Sequence, residues 1–170
     1  IVGSNTNDIL TRFFESQAMV ADGVVPTLSP SMDIQVSSNF ERALFDAHGR
    51  DGAAIAALMA HMKSGGFIIA PGALQMLQAT FASGRCDEAE TSATITTALR
   101  DTGELLCPHS AIGVKVANEH LGSTPMITLA TAHPAKFPDA VQAATGIRPA
   151  LPARMADLFD RPERVTRVKN

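Results

Sequence analysis

The stretch LATAHPAKFPDAV, residues 129–141, decides the fold class of this 170-residue chain. The apolar run that leads into it, residues 125–130, is typical of a buried β-strand, and Pro138 marks the start of a helix. Between them stand the hydroxyl of Thr131 and the imidazole of His133. Bend residues account for such a junction, and so does a small-molecule site, because open α/β sheets bind ligands at the carboxyl ends of their strands.

The rest of the chain alternates short apolar segments with amphipathic helical patterns. Further strands are expected at residues 1–3 and 67–70, and an irregular loop at 24–36. Helices are expected from residue 9 and at 38–48, 51–64, 71–84, 87–103, 110–120, 138–145 and 154–159, with Ser38 and Glu41 as a capping box. This order predicts a helix-rich α/β fold, a partial parallel sheet flanked by helices.

The first residues, IVGSNTND, contain no initiator Met and begin within an apolar run. Parallel sheets are buried on both faces, and a sheet of two such strands is not stable unaided. We therefore expect residues 1–170 to be a single fragment of a longer protein, with the missing strands upstream of Ile1. An exposed sheet edge left by that absence is expected to promote self-association.

Composition excludes several classes of function. The net charge is −3, and the 14 Lys and Arg residues are scattered, which argues against nucleic acid or an anionic membrane as a partner. The two cysteines, Cys86 and Cys107, lack the spacing of a disulfide scaffold or a zinc site. No apolar run reaches the length of a membrane span, so a soluble, cytoplasmic protein is expected.

Four long stretches carry a family resemblance: NTNDILTRFF (5–14), TLSPSMDIQVSSNFERALFD (27–46), PHSAIGV (108–114) and LATAHPAKFPDAV. Together they resemble the C-terminal part of threonine synthase, in its longer bacterial and fungal type. The resemblance implies a pyridoxal-phosphate enzyme of fold type II, the tryptophan-synthase-β type. The chain would be the C-terminal part of its large, cofactor-binding domain. The implied reaction converts O-phospho-L-homoserine and water into L-threonine and phosphate.

The resemblance also implies a cofactor contact. In this fold type a Ser or Thr hydroxyl meets the pyridine nitrogen, and the family pattern puts it at Thr131. The catalytic lysine is not implied here, because none of Lys63, Lys115, Lys136 and Lys169 stands in the family's Phe-Lys-Asp context. The loop that cradles the cofactor phosphate is also absent. We therefore expect no catalytic residue in this chain and no threonine synthase activity from it alone.

A second group of residues suits the substrate phosphate. Ser31, Ser38, Asn39 and Arg42 supply hydroxyls, an amide and a guanidinium, and Ser38 and Arg42 lie one helical turn apart near a helix start. The alternative is an N-cap at Ser38 and a surface ion pair at Arg42.

The remaining polar residues near these motifs are expected to have structural roles. Asn5, Thr6 and Asn7 are expected to cap a helix, and His133 to fix a bend. Lys136 suits either a phosphate or solvent. Cys107, where the family more usually has Asp, and His109 are expected to be structural.

Two other functions stay open from the sequence. One is another enzyme of the same fold type, such as a dehydratase. The other is a non-catalytic α/β module that binds a phosphorylated metabolite or a protein partner, which the absent lysine favours.

Overall fold

The computed structural model describes residues 1–169, which form seven helices and four short strands. The helices are α1 Ile9–Ser16, α2 Glu41–Ala47, α3 Gly52–Lys63, α4 Pro71–Gln78, α5 Glu88–Thr102, α6 Pro108–Asn118 and α7 Pro138–Thr145. The strands are β1 Val2–Ser4, β2 Ala18–Met19, β3 Phe67–Ile68 and β4 Ser83–Arg85. No helix within residues 1–169 combines the length and apolarity that a membrane span requires.

The strands form two small sheets. β1 pairs with β4 in parallel, with Gly3 opposite Gly84, and β2 pairs with β3 antiparallel. The expectation that a helix continues to residue 84 is wrong, because α4 ends at Gln78 and β4 follows. Gly84 permits this strand to lie on α6, since a Cβ there would come within 2.8 Å of Val116 Cγ1.

Two apolar layers enclose the β1–β4 pair. On one side α1 to α4 bury an aromatic cluster, in which the Phe13 ring lies 5.4 Å from that of Phe40 and 5.6 Å from that of Phe14. On the other side α6 packs against both strands, and α5 packs against α6 and α7. The fully buried side chains there include Ile95, Ile112, Val116 and Val141.

The helix starts follow local chemistry in most cases. The Asp87 carboxylate accepts from the Glu90 N–H and begins α5 with a capping box, and Asp51 caps α3. The capping box expected at Ser38 and Glu41 is wrong, since Ser38–Phe40 forms a 3₁₀ turn and α2 begins without a side-chain cap. Burial of Phe40 among the aromatic rings fixes this turn in place of a cap.

Residues 125–130, the clearest strand expected from the sequence, do not form a strand. These residues have no regular secondary structure and no strand partner within the described chain, and Ile127 and Leu129 are 83% and 74% exposed. A strand needs a neighbour that supplies backbone hydrogen bonds, and residues 1–169 supply none here. The helix expected at 154–159 is also wrong: two 3₁₀ turns replace it, and with Phe159 82% exposed there is no buried face to stabilise a helix.

Candidate functional site

A cavity of about 560 Å³ lies between β1, α6 and the segment 126–137. One part of its wall is apolar and the other polar. Ile1, Met126, Ile127 and Leu129 line the apolar part, and Ser31, His109, Thr131 and Lys136 line the polar part. Ser31 and Thr131, which the sequence proposed separately, are thus brought to one cavity.

Strand β1 and the segment 126–137, which form the two edges of the cavity, both pack against α6. A Cβ added to Gly3 in β1 would lie 3.4 Å from Ile112 Cγ2, so this strand runs close against α6. A Cβ added to Gly113 would lie 2.9 Å from Thr128 Cγ2, so the unpaired segment crosses α6 at the next residue. The approach at Gly113 requires glycine, whereas a Cβ at Gly3 would make an ordinary van der Waals contact.

Ser31 is held by a buried polar network at the carboxyl end of β1. The fully buried Asn5 places its Nδ2 2.8 Å from Thr27 Oγ1, 2.9 Å from Ser29 Oγ and 2.8 Å from Asp33 Oδ1. Asp33 also accepts from the Thr27 N–H at 2.9 Å. These bonds tie the loop before and after Ser31 to β1, so the 3₁₀ turn Pro30–Met32 has a defined position.

The expectation that Asn5, Thr6 and Asn7 cap a helix is wrong. α1 has Asp8 at its N-cap position, without a side-chain cap. Asn7 instead exchanges two hydrogen bonds of 2.8 Å with the backbone of Val25, and Thr6 is exposed. The long loop 20–36 offers backbone groups that helix and sheet do not satisfy, and the two asparagines satisfy them.

His109 joins the loop to the other side of the cavity. Its ring is 8% exposed, Nε2 accepts from the Ser31 N–H at 3.3 Å, and the ring centroid lies 4.5 Å from that of Phe137. Burial lowers the pKa of His109, the nearby Lys136 lowers it further, and Asp33 opposes them. The ring is therefore neutral near pH 7, with its proton on Nδ1, and that buried Nδ1 has no partner among the described residues.

Thr131 is one of the residues that line the cavity. Its backbone N–H donates to Ser110 Oγ at 3.2 Å, which fixes the backbone at this point. Its side chain is exposed, and within residues 1–169 its hydroxyl makes no hydrogen bond. The Thr131 hydroxyl thus stands on a backbone position that Ser110 fixes.

Two further residues of this segment have separate roles. Lys136 lines the same cavity, and its Nζ lies 5.6 Å from the centroid of the Phe137 ring. His133 faces a different cleft, and its Nδ1 accepts from the Ala135 N–H at 3.1 Å. The bend role expected for His133 is confirmed by this contact.

Three of the residues proposed for the substrate phosphate lie outside the cavity. Ser38, Asn39 and Arg42 are exposed, and Arg42 Nη2 donates to Asn39 Oδ1 at 3.1 Å. None of the three lines the cavity with Ser31 and Thr131. Among the described residues, no group of His, Cys, Asp and Glu side chains has the arrangement of a metal site.

The sequence analysis missed the first turn of α6, where His109 and Ser110 hold both sides of the cavity. It placed the helix start near residue 110, whereas the helix begins at Pro108. Proline is favoured at the first helical position, and that signal was enough to place both residues in the first turn.

Comparison with known proteins confirms the resemblance. Residues 110–170 match the family model described as threonine synthase, C-terminal. The threonine synthase of Pseudomonas aeruginosa is 49% identical over 174 residues, which covers 100% of this chain and 37% of that protein. The chain thus spans just over a third of the length of the curated relatives it matches.

Solved structures agree with the sequence comparison. A pyridoxal-phosphate-bound threonine synthase from Brucella melitensis has a TM-score of 0.93 and 57% identity, over 96% of this chain and 36% of that one. Yeast threonine synthase has a TM-score of 0.82 and 33% identity, over 95% of this chain and 37% of that one. The expected α/β fold of a pyridoxal-phosphate enzyme is confirmed, although residues 125–130 lack the strand.

Proposed function

We propose that this chain is the C-terminal part of the large domain of a threonine synthase, which converts O-phospho-L-homoserine and water into L-threonine and phosphate. The observation that carries the proposal is the free hydroxyl of Thr131 on the wall of the cavity. Its support is the similarity over the whole chain to a pyridoxal-phosphate-bound threonine synthase. The domain assignment, residues 1–170 as a single fragment, is part of the same proposal.

The residues at the cavity fit one end of pyridoxal phosphate. His109 lines the polar part of the cavity, and its buried Nδ1 is left without a partner in the described chain. When bound, the cofactor supplies the electron sink for eliminating phosphate and adding water. The chain's own contribution is the Thr131 hydroxyl, which donates to the ring nitrogen and, being neutral, does not hold a proton there.

Ser31 is proposed to contact the substrate, because its hydroxyl lies on the same cavity wall as Thr131. A role in binding the substrate phosphate is also proposed for Ser38, Asn39 and Arg42. It requires that the N-terminal end of α2 approaches the cavity in the longer protein. An Arg42→Ala variant of that protein tests this point. A KM for O-phospho-L-homoserine equal to that of the unchanged protein removes these three residues from the site.

The partner that completes the cavity is proposed to be the upstream portion of the same protein. Val2 N–H donates to Ala82 O and Ser4 O accepts from Cys86 N–H, so the intervening Gly3 directs its backbone groups away from β4, towards the cavity. The apolar residues across the cavity, Ile127 and Leu129, are largely exposed. A further parallel strand between these two edges would satisfy Gly3 and cover the apolar wall.

The experiment is to measure L-threonine and phosphate formed from O-phospho-L-homoserine with pyridoxal phosphate. The proposed parent protein is the longer threonine synthase of which this chain would be the C-terminal part. It should form both products in equal amounts, and this chain alone should form neither. The parent protein with Thr131→Val should lose activity, whereas Thr131→Ser, which keeps the hydroxyl, should retain it. A parent protein that binds the cofactor but forms another product indicates a dehydratase, and one that does not bind the cofactor indicates a non-catalytic module.

A further inference from the structure

Two segments carry the proposed ligand-binding hydroxyls of the cavity: the loop with Ser31, and the segment 126–137 with Thr131. We call them the two arms of the cavity. The first turn of α6 contacts both arms through adjacent residues. His109 accepts the backbone N–H of Ser31, and Ser110 accepts that of Thr131, at 3.3 and 3.2 Å. Both acceptors are side chains at least nine-tenths buried, at 8% and 4% exposure. Neither contact joins residues of one secondary-structure element, so each one fixes a loop to the helix.

The helix turn is itself held from inside. Cys107 is the N-cap of α6, and its Sγ accepts from the Ser110 N–H at 3.4 Å. The same Sγ lies 3.3 Å from Ser110 Oγ, so that hydroxyl has an acceptor for its proton while it accepts from Thr131. These contacts orient the Ser110 hydroxyl towards Thr131, and rotation of the Ser110 side chain would break them.

We propose that His109 and Ser110 are positioning residues that set the separation between Ser31 and Thr131 across the cavity. Because the two acceptors are consecutive residues of one helix turn, helix geometry sets the separation of the two points at which Ser31 and Thr131 are held to α6. Ser110 holds the backbone that carries the Thr131 hydroxyl, proposed to meet the cofactor nitrogen, and His109 holds the backbone that carries the Ser31 hydroxyl, proposed to meet the substrate. This inference rests on the proposed function for the identity of the ligands, but not for the contacts.

The test uses the proposed parent protein with two kinds of substitution at each position. Ser110→Ala removes the acceptor, and Ser110→Thr keeps it. His109→Leu removes the acceptor, and His109→Gln keeps an oxygen that can accept from Ser31. Ser92→Ala on α5, whose hydroxyl makes no hydrogen bond in the described chain, is the matched control.

Two readouts separate positioning from a general loss of structure. Amide hydrogen exchange reports the Ser31 and Thr131 N–H groups individually, and an absorbance titration gives the affinity for pyridoxal phosphate. Ser110→Ala should accelerate exchange at Thr131 but not at Ser31, and weaken cofactor affinity roughly 5-fold, the worth of about one hydrogen bond. His109→Leu should accelerate exchange at Ser31 and raise the KM for substrate while cofactor affinity changes less.

Ser110→Thr and His109→Gln should restore most of each loss. If Ser110→Ala and His109→Leu leave exchange at both amides as in the unchanged protein, the inference is overturned. If both variants accelerate exchange throughout the chain, the role is structural and the inference is also overturned. If the unchanged parent protein binds no cofactor, the proposed function fails, and the two amides still decide whether the positioning is correct.

Discussion

The two arms of the cavity are built in opposite ways. The arm that carries Ser31 is anchored by buried side chains, since Asn5 reaches Thr27, Ser29 and Asp33 within 2.9 Å. The arm that carries Thr131 has one side-chain anchor, Ser110, and exposes Ile127 and Leu129. The difference teaches which part of the site this chain determines by itself: the loop arm is complete, whereas the other arm lacks a neighbour.

The largest effect is expected from breaking the anchored arm. Asn5→Ala removes the two N–H donors of a buried amide that lies within reach of Asp33, Thr27 and Ser29, which should lower the free energy of unfolding by about 2–3 kcal/mol. Urea denaturation followed by circular dichroism measures the change. Thr6→Ala, at the exposed neighbouring position, is the control and should stay within about 0.5 kcal/mol. An Asn5→Ala variant as stable as the control would show that the network does not anchor the loop.

A smaller effect is expected at the helix turn between the arms. Cys107→Ala removes the N-cap acceptor of α6 and should cost about 1 kcal/mol, whereas Cys107→Ser keeps an acceptor and should cost less. Thermal unfolding of the two variants gives the comparison. Equal losses for Ala and Ser would mean that Cys107 acts only by filling space.

Protonation of His109 should loosen the arm that carries Ser31, because a protonated Nε2 no longer accepts from the Ser31 N–H. Burial, aided by Lys136, lowers the pKa of His109 in the folded chain below its ordinary value of about 6.5, so the unfolded chain binds the proton more readily. The stability that comes from keeping this ring neutral is fully present above that ordinary value. It is lost as the pH falls through the lowered, folded pKa.

The melting temperature, measured at steps between pH 8 and pH 5, should therefore fall on the acid side. His109→Gln should fall less steeply, and His61→Gln, at an exposed position of α3, should follow the unchanged chain. Identical slopes for all three chains would remove His109 as the cause.

The smallest effect on stability is expected on the open arm. Ile127→Lys with Leu129→Lys changes two exposed side chains, so the free energy of unfolding should shift by less than about 0.5 kcal/mol. Self-association of the chain should nevertheless weaken, because the apolar wall becomes charged. Sedimentation velocity measures it, with Met76→Lys on α4, also exposed, as the control. A chain that is monomeric before any substitution contradicts the proposed self-association.

Sequence patterns succeeded where the determinants are local. The capping box at Asp87 and the N-cap at Asp51 need only three or four neighbouring residues, and both helices start where expected. Ser38 has the sequence pattern of a helix cap as well. There, burial of Phe40 against residues distant in the sequence produces a 3₁₀ turn instead. Local propensity decides a helix start only where packing does not oppose it.

The strand expected at 125–130 shows the other limit. Its composition is that of a buried strand, but pairing is a property of two segments, and within residues 1–169 the second segment is missing. The candidate site shows the same contrast between features that local sequence indicates and contacts that depend on distant residues. Thr131, proposed from the family resemblance, and Ser31 line one cavity, whereas the contacts of His109 and Ser110 across 78 and 21 positions could not be predicted from the sequence.

The account depends most on the claim that the open arm is completed by the upstream portion of a threonine synthase. Amide hydrogen exchange of residues 125–131, compared between this chain alone and the proposed parent protein, tests it directly. The account predicts fast exchange in the chain alone and strong protection in the parent protein, while the amides of the Asn5 loop are protected in both. Equally fast exchange of 125–131 in both proteins would contradict it.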